Sequence, residues 1–463
     1  MQTKKVNFKM KKLNGDVLTP INVFLRLEGK KKFLLESSLK HSEQGRYSFI
    51  GVNPSMEIVG EGKIARVSLA DGTVVKEEKG LPLSILQSAL PKLELEELPF
   101  PFYGGAIGYV GYDAIRQYRE IGEELSDEIE MPDVHFMVYE DVVVFDHLAQ
   151  AIYLLSIDLH DQRTEVELEK RLELLEKQIS QRETDESLAD CRIDFQPLME
   201  KEEFVRRIEQ AQAYVKNGEV LQVVLSQRMV GDVKADPFHF YRVLRNSNPS
   251  PYMFFVDFEK YVVLGASPES FVKSKGRLVS TNPIAGTRPR GETAEEDKEI
   301  AAELLADEKE LSEHRMLVDL SCEDMGHICT PDSVEVASYM KIEQYRHVMH
   351  IVSEVEGKLA EGKSGLDALI SCLPAGTVSG APKTRAMQII NDLEEAKRGV
   401  YAGAIGYVNA NGDIDFALAI RSLIIKEKRA YLQAGAGIVT DSIPEKEYME
   451  TINKAKALLN PGV

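Results

Sequence analysis

An octapeptide that occurs twice constrains this chain more than any other feature. Tyr103-Gly-Gly-Ala-Ile-Gly-Tyr-Val110 recurs as Tyr401-Ala-Gly-Ala-Ile-Gly-Tyr-Val408, differing only at Gly104 against Ala402. Two near-identical segments far apart in one chain predict two similar sheets or subdomains. The glycines superficially resemble a dinucleotide-binding loop, but neither copy belongs to a clear unit of strand, glycine loop and helix with an acidic residue about twenty positions on. Glycines inside strands more often mark bulges or close backbone packing.

The rest of the pattern is mixed. Short alternating runs between turn clusters, such as Lys63 to Leu69 and Val134 to Phe145, predict mainly sheet from Met1 to Leu159. Glu165 to Gln181 has apolar positions at helical spacing among dense charges and reads as a solvated linking helix. The polar stretch Glu183 to Arg192 marks a boundary between an N-terminal region, residues 1–185, and a C-terminal domain, residues 186–463. Beyond it, strands (Val220 to Met229, Tyr261 to Gly265, Ala430 to Gln433) mix with long amphipathic helices (Glu202 to Lys216, Glu295 to Cys322). They do not alternate as a doubly wound sheet requires, so the expected fold class is α+β.

At 463 residues, with 43% hydrophobic and 28% charged, the chain has material for two domains or one large composite. A net charge of −19 argues against nucleic acid, whose binding needs Lys and Arg to neutralise phosphates. Thr19, Pro20, Asn22 and Arg26 interrupt the stretch after the basic start, so no secretory segment is expected. The apolar run Val142 to Ile157 is broken by Asp146 and His147, short of the about 20 residues a membrane-spanning helix needs. Cys191, Cys322, Cys329 and Cys372 stand singly and read as reduced thiols of a cytoplasmic protein.

Glu310 and Glu313 lie three apart in a helical stretch, and Glu447 and Glu450 repeat the spacing, so each pair projects from one helix face. Alone, each pair reads as a solvated acidic face. Facing each other, the two would make a hard, oxygen-rich site suited to Mg²⁺. Gln433-Ala-Gly-Ala-Gly437 follows a strand and either turns or offers bare N–H groups to an anion. His350 has apolar neighbours, which fits a packed histidine or a general acid or base. Asn246 to Pro251 is a stiff, extended turn. Together these describe a Mg²⁺-dependent enzyme acting on a small carboxylate.

Eight motifs in one order say more. They are Leu34-Leu-Glu-Ser37, Gly45-Arg-Tyr-Ser-Phe-Ile-Gly51, Gln222-Val-Val-Leu-Ser-Gln-Arg228, Asn248-Pro-Ser-Pro-Tyr-Met253, Gly265-Ala-Ser-Pro-Glu269, Pro283-Ile-Ala-Gly-Thr-Arg-Pro-Arg-Gly291, Gly376-Thr-Val-Ser-Gly-Ala-Pro-Lys383 and Gln433-Ala-Gly-Ala-Gly437. The set closely resembles the chorismate-utilising enzymes, and among them the large, chorismate-binding subunits (component I) of anthranilate synthases. The resemblance implies two packed antiparallel sheets with helices outside and two intertwined, similar subdomains. It implies Glu313 and Glu450 as Mg²⁺ ligands, with Glu310 and Glu447 on metal-bound waters. Tyr401, Arg421, the amides of Gly435, Ala436 and Gly437, and nearby Lys454 match the positions holding the enolpyruvyl carboxylate. Gly286 and Thr287 match a further substrate loop, Thr377 the ring-lining motif, and His350 the active-site histidine. His350 is expected either to donate a proton to the departing hydroxyl or to manage protons during pyruvate elimination. Ser37, Pro251, Tyr252 and Met253 match the family's site for L-tryptophan as feedback inhibitor.

Two positions narrow the reaction. Isochorismate-forming relatives carry lysine where this chain has Gln222, and aminodeoxychorismate synthases, the nearest rival, commonly carry lysine where it has Ala285. Without those amines the resemblance implies direct addition of ammonia at C2 of chorismate, then loss of pyruvate. No cysteine fits a glutaminase, so free ammonium or a separate glutamine amidotransferase subunit is the expected nitrogen source. One stretch departs from the family pattern: Cys322-Glu-Asp-Met-Gly-His327 stands where Arg-Asn-Asp-Leu-Gly-Arg is usual, so two arginines are missing.

Overall fold

The computed structural model describes residues 4–5, 7–37, 45–90, 93–94, 98–181, 193–346 and 348–459. Cys191 and the boundary stretch 183–192 lie outside them. Among the described residues two large sheets of 12 strands each carry the fold, and every neighbouring pair in both is antiparallel.

The octapeptide copies are not one per sheet. Gly105–Val110 and Ala404–Asn409 are hydrogen-bonded neighbours in the middle of a single sheet, with Gly108 opposite Gly406. All six positions of each strand are buried. This pair is a seam. On one side lie strands from the first part of the chain, Met56–Glu61 and Val134–Tyr139 among them; on the other lie Ser270–Lys275 and Ile414–Leu418. The second sheet has its own seam, where Phe33–Glu36 pairs with Tyr252–Asp257 in the register Glu36 to Met253 and Leu35 to Phe254.

The stretch Val134 to Phe145, which alternates like one strand, is two. Val134–Tyr139 belongs to the first sheet and Asp141–Asp146 to the second. Buried Glu140 marks the crossing, accepting from Leu159 N at 2.9 Å and pairing with Arg163 at 3.1 Å. The helix expected over Glu295 to Cys322 is also two, Ala294–Leu304 and Glu308–Gly326. Asp307 caps the second by accepting from Lys309 N and Glu310 N, satisfying N–H groups that a helix start leaves unpaired. Helix Glu165–Ile179 is solvated on one face only, burying Leu168, Leu172, Leu175 and Ile179.

A large apolar core fills the space between the sheets, with Phe33, Phe102, Tyr109, Tyr139 and Phe416 among its bulkiest members. A second cluster lies beneath helices Pro20–Arg26 and Pro237–Ser247, where the Phe24 and Phe238 rings stack at 4.0 Å and Phe255 meets both edge-on. No helix among the described residues is long and apolar enough to cross a membrane.

Candidate active site and seam cavity

The first constellation forms around His350 on strand Val348–Lys358. Its neighbour Ile284–Pro289 shifts register between Ala285 and Thr287, and this bulge leaves Gly286 at φ 67°, a conformation only glycine adopts freely. The bulge turns the Gly286 carbonyl and the Thr287 hydroxyl toward His350 Nδ1, at 3.2 and 3.0 Å. Nδ1–H donates to the carbonyl, which leaves Nε2 as the lone-pair nitrogen. That atom is buried with no partner among the described residues. Burial lowers the His350 pKa to about 4, with the Arg421 charge acting the same way, so the ring is neutral near pH 7.

Glu269 stands nearby. It is buried, and Thr377, on the short helix Gly376–Ser379, donates to its Oε1 at 2.9 Å. Burial pushes its pKa up to about 8, against the opposing pull of Thr377 and Arg421, so the carboxyl keeps its proton at neutral pH. Arg421 is open to solvent on one side and crowded by protein on the others, and this crowding lowers its pKa. Its backbone sits at φ 48°, a strained conformation for a non-glycine residue. The motif ending at Glu269 was legible, but its carboxylate received no role. The neighbouring strands give no clear signal for it, since Tyr261–Ser267 is apolar but Ser270–Lys275 carries Lys273 and Lys275.

The second sheet supplies a row of N–H groups at an open strand edge. Strand Arg429–Ile438 pairs along its length with Gln222–Asp232, but its other neighbour, Ser422–Lys426, reaches only Arg429 to Leu432. Alternate N–H groups from Gln433 onward therefore face an edge without a strand partner. A Cβ on Gly437 would lie 2.3 Å from Gln222 Nε2, and one on Gly435 would lie 2.8 Å from the Tyr401 hydroxyl, so glycine is what lets both side chains approach. Arg398, fully buried and forked onto Glu394, fixes Tyr401 from behind, with its guanidinium 5.7 Å from that ring. Lys454 donates to Gly435 O at 2.9 Å.

The acidic pairs stand on helices Glu308–Gly326 and Pro444–Leu459. Gln222 donates to Glu313 at 3.0 Å, Arg288 to Glu310 at 3.0 Å, and Lys454 pairs with Glu450 at 2.7 Å. Burial raises the Glu447 pKa, and the Glu450 charge adds to the rise, which is the repulsion a cation would relieve. Among the described residues no three His, Cys, Asp or Glu side chains converge on a point. Mg²⁺ usually takes one or two direct carboxylates and keeps several waters, so this hard, oxygen-only donor set fits it without such a cluster.

Ser37, Pro251, Tyr252 and Met253 lie elsewhere, together, on a cavity of about 1090 Å³ that spans both seams. Leu35 and Met253 come from the seam of one sheet, and Ile405 and Tyr407 from the octapeptide seam of the other. Ser37 Oγ is buried there without a partner among the described residues. Beneath the cavity, Glu36 accepts from Tyr241 at 2.6 Å and pairs with Arg245.

Residues 31–460 match the chorismate binding enzyme family. The chain belongs to that family. It is 44% identical to anthranilate synthase component 1 of Lactococcus lactis, over 98% of this chain and 99% of the relative. It is 43% identical to the protein of that name in Acetivibrio thermocellus, over 96% and 93%. The solved anthranilate synthase component I of Streptococcus pneumoniae covers 96% of this chain, and 98% of that structure is matched, with a TM-score of 0.83 at 45% identity. The menaquinone-specific isochorismate synthase of Escherichia coli has the same fold at 18% identity, with a TM-score of 0.73 over 98% of this chain and 95% of its own.

The departure from the family pattern at Cys322 to His327 also has a structural account. Asp324, the acid retained there, is buried against Lys383 of the Gly376 to Lys383 motif, and Lys383 also donates to Cys372 O at 2.9 Å. Its partner is that lysine, so the missing arginines leave no buried carboxylate orphaned here.

Proposed function

We propose that this chain is the chorismate-binding, ammonia-using subunit of an anthranilate synthase, a lyase that forms anthranilate and pyruvate for tryptophan biosynthesis in the cytoplasm. The carrying observation is the opposite protonation of two buried groups that both feel the Arg421 charge: Glu269 holds a proton, while His350 is neutral with an unpartnered Nε2.

Ammonia adds at C2 as the C4 hydroxyl leaves, and that hydroxyl needs a proton to depart as water. Glu269 donates it. The aminated ring then loses its C2 proton and breaks the C3–O bond, releasing pyruvate and becoming aromatic. His350 Nε2 takes that proton, the second of the two roles that its motif implies. Arg421, Tyr401 and the amides of Gly435, Ala436 and Gly437 hold the enolpyruvyl carboxylate, with Lys454 close by. Glu313 and Glu450 would hold Mg²⁺, with Glu310 and Glu447 on its waters; when bound, the ion supplies a grip on the ring carboxylate and electron withdrawal. Gln222 and buried Ala285 bring no amine to the ring, which disfavours water attack and the aminodeoxychorismate route.

The seam cavity takes L-tryptophan as inhibitor, with the Ser37 hydroxyl as a ready hydrogen-bond partner. Nitrogen comes from a separate glutamine amidotransferase subunit. With chorismate, Mg²⁺ and ammonium, the pure chain should form anthranilate, followed by its fluorescence. Glutamine should substitute only after that subunit is added. Glutamine-supported turnover by the chain alone would overturn the partner assignment.

A further inference from the structure

Glu269 occupies a mechanically special place. It stands in the two-residue link between strand Tyr261–Ser267 of one sheet and strand Ser270–Lys275 of the other. Its backbone is held from both sides, Glu269 N donating to Ser267 Oγ at 3.3 Å and Leu418 N donating to Glu269 O at 3.1 Å. Directly after it, the pairing of Ser270–Lys275 with Ile414–Leu418 shifts register between Ser270 and Val272. A bulge re-aims the side chains beside it.

Ser270 borders a small cavity, about 30 Å³, that Glu269 and Thr377 also line. From the opposite side comes Tyr252, whose residue walls the seam cavity. Its hydroxyl oxygen reaches across from the other sheet and lies 2.9 Å from Ser270 Oγ and 2.9 Å from Asp415 Oδ1. A phenol has one proton. Burial keeps it in place by raising the Tyr252 pKa, and a carboxylate oxygen only accepts, so Tyr252 donates to Asp415 and accepts from Ser270. Asp415 itself lines the seam cavity, 3.6 Å from Lys273 Nζ. One relay, Ser270 to Tyr252 to Asp415, thus joins the walls of the two cavities.

We propose that this relay couples the sites: a ligand in the seam cavity that engages Asp415 or shifts the Tyr252 ring draws on Ser270 and moves the bulge that positions Glu269. Ser270 and Tyr252 are positioning residues in this account, acting on the reaction through Glu269. The inference rests on the reading of the seam cavity as the tryptophan site. A ligand shifts an equilibrium only through contacts that differ between two states, and a hydrogen bond gained or lost at Tyr252 is such a difference.

Two variants test it. Tyr252→Phe removes the hydroxyl and keeps the ring as cavity wall, while Ser270→Ala removes the donor at the far end, outside the seam cavity. For each, calorimetry measures tryptophan binding, and the chorismate KM is measured without tryptophan and at saturation. Ser270→Ala, which lies outside the seam cavity, should bind tryptophan within a few-fold of the native chain. The ratio of the two KM values should fall toward one by about fivefold or more, the size of a typical coupling. A loosened fold would weaken tryptophan binding along with the coupling, whereas a broken relay removes the coupling and keeps the binding. If Tyr252→Phe loses binding outright, Ser270→Ala decides. Tryptophan binding with the native coupling ratio in Ser270→Ala overturns the relay and leaves the cavity's assignment standing. No saturable tryptophan binding to the native chain overturns the assignment and the relay together.

Discussion

Thr377 Oγ1 donates to Glu269 Oε1 across 2.9 Å, tying a four-residue helix to the point where the chain crosses between its two sheets. That bond occupies one carboxyl oxygen and leaves the other to carry the proton that burial retains up to about pH 8. The arrangement gives a carboxylic acid able to donate under neutral conditions.

Glu269→Gln keeps shape and hydrogen bonding to Thr377 but has no proton to give, so kcat should fall about a hundredfold or more. In the native enzyme kcat/KM should decline as pH rises through about 8, where Glu269 ionises. Stability carries the same signature. The folded pKa lies above the usual 4.5, so as pH rises through that value and toward about 8 the unfolded chain has released a proton that the native state still holds. The contribution is complete below about 4.5 and is lost across this window. Melting at pH 5 and pH 8 should therefore show Glu269→Gln gaining on the native chain as pH rises; a constant difference would contradict the buried acid.

His350→Gln should separate the two half-reactions. Amination needs Glu269 and continues, while loss of the C2 proton lacks its acceptor. Chromatography should find an aminated, non-aromatic intermediate accumulating without stoichiometric pyruvate. Equal loss of both steps would return His350 to the role of proton donor.

Glu313→Gln and Glu450→Gln each remove a hard anionic oxygen and preserve shape. Both should leave the circular dichroism spectrum unchanged and abolish activity at ordinary Mg²⁺ concentrations. Near-normal turnover in either variant would remove that residue from the metal site.

Lys383→Met leaves Asp324 buried without its ammonium, a change worth about 3 kcal/mol or more. The urea midpoint should drop, and adding Asp324→Asn should recover part of the loss. A midpoint unmoved by Lys383→Met would mean that the pair does not carry this segment.

Much of this was legible in the sequence, for reasons that differ by residue. The octapeptide echo was visible, but identity between segments says nothing about whether they pair with each other, and only the structure shows Gly108 opposite Gly406. Val134 to Phe145 reads as one alternating strand, but both of its strands are buried on both faces, which removes the period-2 signal and leaves no trace of the change of sheet at Glu140. The break at Asp307 was readable: an acid followed three residues later by Glu310 is a helix-start signature inside an apparently continuous helix. Gly286, Thr287 and His350 came from motif matching, and the structure brings them into contact. Glu269 escaped because its role comes from desolvation, which belongs to the assembled interior and not to the local sequence.

The most direct test of the account is the product made by the purified chain from chorismate, Mg²⁺ and ¹⁵N-ammonium, with pyruvate counted in the same reaction. The account predicts ortho-aminobenzoate carrying the label and one pyruvate per molecule formed. Isochorismate without pyruvate, or nitrogen placed at C4 of an unaromatised ring, would contradict it.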